Sequence, residues 1–369
     1  MTTPPAPAVT RQSLLETLQA FKRTSLLRAT VELGVYDALV AGPLDAPGLA
    51  DAVGADPRAL RILLGAAAAT GLLDTVTETE TETEGDGNHG DHRYALPEGA
   101  ADLLVSSSPQ YAGHALKVNV SDWEWEAMRD LAAVVRKGGT LLAPDATDEA
   151  FTYWSDFAAD GTFVTRAAAA TLVDGTRAWA AGLRQPRVLD VGCGHALFGL
   201  AFAREHPHAV VRALDRPDVL VRARAHAERM GLSERVGFIE GDAFTTGLDG
   251  PYDLVIAANL LPMFPRDQGT GLLRRLAGVL RPGGRLVTVG FSVDGGPPAD
   301  EHAAHLLSLL MLISTPGGEA HSLETTRRML ADAGLAELSA RRVGPLPVHV
   351  VTAEPLVATT AGLQEGTSR

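Results

Sequence analysis

The sequence predicts an α/β protein, with a doubly wound domain in its C-terminal half and an α-helical winged-helix module before it. Three observations predict this. From about residue 187 onward, short apolar runs alternate with helical patterns, as in parallel strands joined by helices. The first of these runs, Val188 to Val191, ends in a Gly-rich turn that opens a helix. Residues 11–70 carry apolar positions at helical spacing and are followed by two short strand-like runs, LLDTV and HRYAL.

The chain has 369 residues and 46% hydrophobic residues, enough at ~150 residues per domain for two or three domains with real cores. Its formal net charge of −13 argues against phosphate-backbone binding, which needs a basic surface. One cysteine, Cys193, excludes intrachain disulfides and a cysteine-cage metal site, and fits a reducing cytosol. The N-terminus MTTPPAPAVTRQ has no apolar signal region, and no run of ~18 apolar residues could span a membrane. These points lead to the expectation of a cytoplasmic protein.

Within the N-terminal third, Leu14, Leu15, Leu18, Phe21, Leu26, Leu27 and Val31 mark a first helix from Arg11 to about Leu33. Val35, Leu39 and Val40 mark a second, and Leu49 and Val53 a third. A fourth has Asp56 as N-cap, Pro57 in first position and Gly71 at its end. Between the two strand-like runs, residues 77–91 read as a mobile acidic hairpin tip. A solvated loop is favoured there over a metal site of His89, Asp91 and His92. Helices followed by a two-stranded wing often read DNA. Here the would-be reading helix is mostly alanine and leucine, with only Arg58 and Arg61 basic. Such a helix suits a protein partner, so dimerisation is expected and a DNA-binding regulator is the remote alternative.

Residues 100–180 read as helices. Trp123, Trp125, Met128, Leu131 and Val135 lie in one segment; Phe151, Tyr153, Trp154, Phe157 and Phe163 lie in the next. Such dense aromatics could line a pocket for a flat substrate, although for any one of them helix packing is the commoner role.

The most specific part follows. The turn has the spacing Asp190-x-Gly192-x-Gly194-x-Ala196, whose glycines allow positive φ and close approach of a ligand, with free N–H groups expected at the helix start beyond. A second strand ends in Asp215, placed to accept two ribose hydroxyl protons. A third ends in Asp242 and Phe244, an acceptor for an adenine amino group and a ring to stack on it. A fourth, from Leu254 to Ala258, leads to a loop with Asn259. A helix, a Pro282-Gly283-Gly284 turn and another strand complete a mostly parallel, Rossmann-like sheet, whose ligand should sit at the C-terminal strand ends.

The runs VLDVGCGHALFG, ALDRPDV, GDAF, YDLVIAANLL and RPGGRLV resemble the S-adenosylmethionine-dependent methyltransferases. With the winged helix, residues 11–352 resemble the acetylserotonin/caffeate O-methyltransferase-like family, which includes bacterial tailoring enzymes of polyketides and other antibiotic-like metabolites. The resemblance implies S-adenosyl-L-methionine as cofactor. It places Asp190, Gly192 and Gly194 around the methionine moiety, Asp215 on the ribose, Asp242 and Phe244 on the adenine, and Asn259 as a weaker contact. It implies a winged-helix dimerisation domain over 11–105, a helical linker contributing to the substrate pocket over 106–180, and an S-adenosylmethionine-binding methyltransferase domain over 181–355. The expected partners are a small aromatic or polyketide-like acceptor and a second copy of the chain, with no nucleic acid or membrane. Oxygen ranks first as acceptor atom, then carbon, nitrogen and sulfur.

One position departs from the family. Many members carry a histidine after the fourth strand that takes the acceptor's proton; here the run is Leu261-Pro262-Met263-Phe264, and proline can take none. Three expectations follow. The acceptor ionises with little help, another residue serves, or the protein is a non-methylating member such as a cyclase, hydroxylase or decarboxylase. Candidate bases are His302, His305, Glu319 and His321, with His305 and Glu319 preferred because they flank the apolar helix DEHAAHLLSLLML. Glu319 falls where the family's plant members carry an active-site glutamate. Solvated or packed roles compete for each, and a His302/His305/Glu319 metal site is not expected. Asp294 and Glu301 read as exposed loop acids, Ser322 as a helix N-cap, and Cys193 as a small filler of the glycine turn.

Overall fold

The structure, a computed structural model, describes residues 9–76, 92–148, 151–158 and 163–356. The expected acidic hairpin tip, with His89 and Asp91, lies outside the described residues. The chain divides into two compact units, Met1–Glu124 and Trp125–Arg369.

In the first unit α1 (Arg11–Glu32) opens on a capping box between Thr10 and Ser13 and runs without interruption. Its first half leaves Leu14, Leu15, Leu18 and Phe21 between 51% and 63% exposed. Then come α2 (Val35–Ala38), α3 (Ala46–Val53) and α4 (Pro57–Ala69). Asp45 and Asp56 cap the last two by accepting from the amides of Gly48 and Ala59. Gly71, at φ +73°, takes the left-handed conformation that stops α4. The wing is β1 (Asp74–Val76) antiparallel to β2 (Arg93–Ala95), with Thr75 opposite Tyr94. Leu49, Leu60, Leu64 and Leu73 form the core with Tyr36, whose hydroxyl donates to the Leu72 carbonyl. The winged-helix module expected from the pattern is thus observed. Short helices α5 (Ala100–Leu103) and α6 (His114–Asn119) follow; α7 (Asp122–Met128) contains the division between the units.

The second unit begins with α8 (Leu131–Lys137), α9 (Tyr153–Phe157) and α10 (Phe163–Ala180). An alternating series comes next: β3 (Arg187–Val191), α11 (Leu197–Glu205), β4 (Val210–Asp215), α12 (Pro217–Arg229), β5 (Val236–Glu240), β6 (Tyr252–Ala258), α13 (Arg266–Ala277) and β7 (Leu280–Phe291). The chain closes with α14 (His302–Ser314), α15 (Leu323–Asp332), β8 (Leu335–Arg342) and β9 (Val348–Pro355). The sheet order is β5-β4-β3-β6-β7-β9-β8, parallel through β7 and antiparallel at β9 and β8. Both faces are covered. Val188 packs with Leu172 and Phe202 on one side, and its neighbour Leu189 with Leu272 and Met329 on the other, as strand alternation requires.

One local expectation changes. Pro282-Gly283-Gly284 does not form a turn before the last parallel strand; it lies inside β7. A Cβ on Gly284 would come within 2.9–3.1 Å of the carbonyls of Arg281, Asp253 and Tyr252. Glycine therefore lets the backbone stay against β6 across a register shift between Tyr252 and Leu254.

Candidate active site

A cavity of about 180 Å³ opens beyond the C-terminal ends of β3, β4 and β6 in the second unit, where a doubly wound sheet binds its ligands. Its floor is the turn after β3. Gly192 and Gly194 stand at φ +59° and +54°, and a Cβ on Gly192 would meet Leu260 Cδ1 at 2.8 Å. Ala196 also adopts φ +58°, a left-handed strain of about 1–2 kcal/mol for a non-glycine residue.

The amides of this turn differ from the expectation of free N–H groups. Gly194 donates to Asp215 Oδ2 at 2.8 Å, Leu197 to His195 Nδ1 at 3.1 Å, and Gly199 to Asp190 Oδ2 at 2.9 Å. Side chains cap the helix start, so it does not present the bare amide cradle that a phosphate needs. What faces the cavity instead is acidic, with Asp215 and Asp242 on its rim. Such a rim suits a cationic, hydroxyl-bearing ligand.

The expected site residues take distinct places. Gly192, Gly194, Asp215, Asp242, Phe244 and Asn259 all line the cavity. Asp190 does not; it is 1% exposed beneath the turn, and its Oδ1 has no hydrogen-bond partner. Burial pushes its carboxyl up to about 7, the Gly199 amide opposing and the Asp215 charge adding. Burial also raises Asp215, against the amides of Gly194 and Arg216. Asp242 Oδ1 accepts from the Phe244 amide at 2.8 Å, and the Phe244 ring meets Phe264 edge-on at 5.0 Å. Asn259 sits at φ +53° and donates its amide to the Val289 carbonyl.

Sequence reasoning missed His195, Arg216 and Thr147, which line the same cavity. The signal for the first two was their position, inside the glycine turn and directly after Asp215. His195 accepts at Nδ1 from an amide, so Nε2 carries its proton. Burial, and then His226, lower it to about 4, which makes it a neutral donor at neutral pH. Among the aromatics of the helical segment, Trp154 lines the cavity, packed against Phe151 and Tyr153.

Pro262 is buried in a turn of 3-10 helix, Leu261–Met263. None of the four candidate bases lines the main cavity. His321 shares a second, small cavity with Pro262. Its side chain is 3% exposed and its Nε2 lies 3.2 Å from the Phe264 carbonyl. A carbonyl only accepts, so Nε2 carries the proton and Nδ1 the lone pair. Glu319 Oε1 stands 3.9 Å from that Nδ1. His302 and His305 are exposed on α14. The pairing is thus Glu319 with His321, while His305 faces Glu301 at 3.8 Å. Glu301 was expected to be an exposed loop acid; it is 7% exposed, because its Oε1 accepts from the amides of Asp294 and Gly296 and folds the loop back on itself. Ser322 caps α15 as expected, accepting from the Thr325 amide. Among the described residues no three His, Cys, Asp or Glu side chains gather as a metal ion requires.

Comparison with known proteins agrees with this geometry. Residues 188–284 match the methyltransferase domain family, and residues 15–106 the O-methyltransferase dimerisation domain family. Mouse (Mus musculus) acetylserotonin O-methyltransferase is 32% identical over 90% of this chain and 85% of its own. The chain belongs to the S-adenosylmethionine-dependent O-methyltransferase family. Within that family, 3-hydroxy-5-methyl-1-naphthoate 3-O-methyltransferase of Streptomyces sahachiroi is 28% identical over 86% of this chain and 87% of its own. The structure of mitomycin 7-O-methyltransferase superposes with a TM-score of 0.75 at 25% identity, covering 93% of this chain and 97% of that one.

This O-methyltransferase family member is an enzyme whose methyl donor is S-adenosylmethionine. The residues present fit that donor: two side-chain-free positions on the floor, carboxylates on the rim and a half-buried ring at one end. Among the described residues no helix is long and apolar enough to cross a membrane.

Proposed function

We propose that the protein methylates a hydroxyl of a small aromatic or polyketide-like metabolite, working as a cytoplasmic homodimer. The observation that carries this reading is the acidic, glycine-floored cavity at the strand ends, with Met263 and Phe264 at its apolar side. The likeness to a naphthoate O-methyltransferase and a mitomycin O-methyltransferase supports the acceptor class. The exposed apolar stripe of α1 supports the dimer.

In this reading Asp215 accepts from the ribose hydroxyls, Asp242 from the adenine amino group, and Phe244 packs on the ring. Gly192 and Gly194 let the methionine end approach the backbone, Asp190 holds the start of α11 through Gly199, and Asn259 lines the exit of β6. When bound, S-adenosylmethionine supplies an electrophilic methyl group on a positively charged sulfur. The chain must orient the acceptor hydroxyl and receive its proton. Because Pro262 cannot, His321 is the base we assign, reached through the small cavity that it shares with Pro262; its buried Nδ1 has no hydrogen-bond partner, and Glu319 stands beside it to balance the imidazolium. His302 and His305 are then surface groups. A second reading rests on Pro262 itself: an acceptor acidic enough to ionise unaided would need placement only.

The test is incubation with labelled S-adenosylmethionine and a panel of phenolic aromatics matched with their amino and deoxy analogues. Label retained on the hydroxyl compounds alone is expected. Label on the amines alone, or on none, would overturn the assignment of oxygen.

A further inference from the structure

Arg216 follows Asp215 directly, and its side chain is 15% exposed. Its amide donates to Asp215 Oδ1 at 2.8 Å. Its guanidinium reaches the other way. Nη1 donates to the carbonyl of Asp148 at 2.6 Å and Nη2 to the carbonyl of Phe151 at 2.7 Å. Asp148 ends the segment 146–148 and Phe151 opens the segment 151–158, and Ala146, Thr147, Trp154 and Ala158 of these segments line the cavity opposite the glycine floor. The Ala158 Cβ stands 3.9 Å from where a Cβ on Gly194 would be, so floor and roof nearly meet.

We propose that Arg216 is a positioning residue that fastens this roof over the methyl donor, and that its guanidinium sets how fast the demethylated product, S-adenosylhomocysteine, leaves. The inference rests on the reading of this cavity as the cofactor site. The roof has its own ties. Trp154 Nε1 donates to the Ala146 carbonyl, and the Ala146 amide to the Ser314 carbonyl. Neither reaches the tip of β4; the two Arg216 bonds start there, and Asp156 adds a longer ion pair, 3.9 Å, to Arg222 on α12. In this proposal a ligand lying between floor and roof leaves as the roof lifts, and product release of this kind often limits turnover. The task needs arginine. A planar fork puts two separate nitrogens on two carbonyls, whereas an ammonium must serve both from one nitrogen on a stem without the fixed fork.

The experiment measures S-adenosylhomocysteine dissociation from the full-length protein by stopped flow, for wild type, Arg216→Met and Arg216→Lys. Losing two charge-assisted bonds should speed dissociation by about 10-fold or more in the Met variant. The association rate should change little and the Lys variant should fall between. Added guanidinium ion should slow release from the Met variant and leave wild type unchanged, which a merely structural defect would not show. Bound product should protect residues 146–148 and 151–158 from protease in wild type and much less in the variant. Met and Lys variants that melt like wild type and release product at the wild-type rate would overturn the proposal alone. Wild-type protein that bound no S-adenosylhomocysteine would overturn the cavity reading, and the proposal with it.

Discussion

The amide of Gly194 donates to Oδ2 of Asp215 at 2.8 Å, so the glycine turn after β3 and the tip of β4 form one corner. Oδ1 of the same carboxylate takes the Arg216 amide. Both oxygens are thus held in place, each keeping a lone pair that the proposed ribose contact would use. Replacing Asp215 with alanine should weaken S-adenosylhomocysteine binding by about 10-fold to 100-fold, the scale of hydrogen bonds to a charged group. Calorimetry on both proteins reads this directly; unchanged affinity would remove Asp215 from the cofactor site.

Asp190 links the same corner to pH. Its carboxyl is pushed up to about 7 by burial, while in the unfolded chain it titrates at about 3.9. A raised pKa means that the folded state binds the extra proton. Stability from that proton is full below the unfolded value and is lost as pH rises toward the folded one. Between these limits the group contributes a slope of about −1.4 kcal/mol per pH unit. Asp190→Asn should accept from the Gly199 amide without that slope. Urea unfolding at pH 5 and pH 7 should show wild type losing more stability than the variant over the interval, and equal losses would contradict the assignment.

The stripe of Leu14, Leu15, Leu18 and Phe21 on α1 is the test of assembly. Light scattering should give wild type twice the 38.7 kDa of one chain. A double variant, Leu18→Glu with Phe21→Asp, should shift the mass toward one chain, because charges in a buried apolar contact go unpaired. A wild-type monomer at micromolar concentration would reject the dimer.

Legibility in the sequence followed the reach of the signal. The strands and the winged helices were readable because each has a local period or cap, as at Asp56 and Ser322. The cavity-lining residues Gly192, Gly194, Asp215, Asp242, Phe244 and Asn259 were readable because strand ends converge in any doubly wound sheet. Glu301 was misread because its partners, the amides of Asp294 and Gly296, are backbone groups with no residue signature. Thr147 was missed because the roof reaches the cavity from a segment remote in sequence, and Arg216, although next to Asp215, because the carbonyls that it holds lie on that remote segment. The pairing among candidate bases was also beyond reach. His305 and Glu319 were preferred because they flank an apolar helix, while the loop after α14 in fact turns Glu319 toward His321.

That pairing yields the sharpest test of mechanism. His321 has two jobs in the structure: Nε2 holds the Phe264 carbonyl, and Nδ1 keeps a lone pair beside Glu319. Alanine would remove both, so its effect would confound folding with chemistry. Glutamine separates them, since its amide nitrogen can still donate to Phe264 but offers no basic lone pair. His321→Gln should lower kcat by about 10²-fold to 10⁴-fold, the worth of a positioned general base. S-adenosylmethionine affinity should stay near wild type. Glu319→Gln should cost less, because it removes only the countercharge of an exposed carboxylate. His302→Ala and His305→Ala should keep wild-type turnover. If His321→Gln also keeps it, no base acts from that side of Pro262, and placement of an already ionised acceptor carries the reaction.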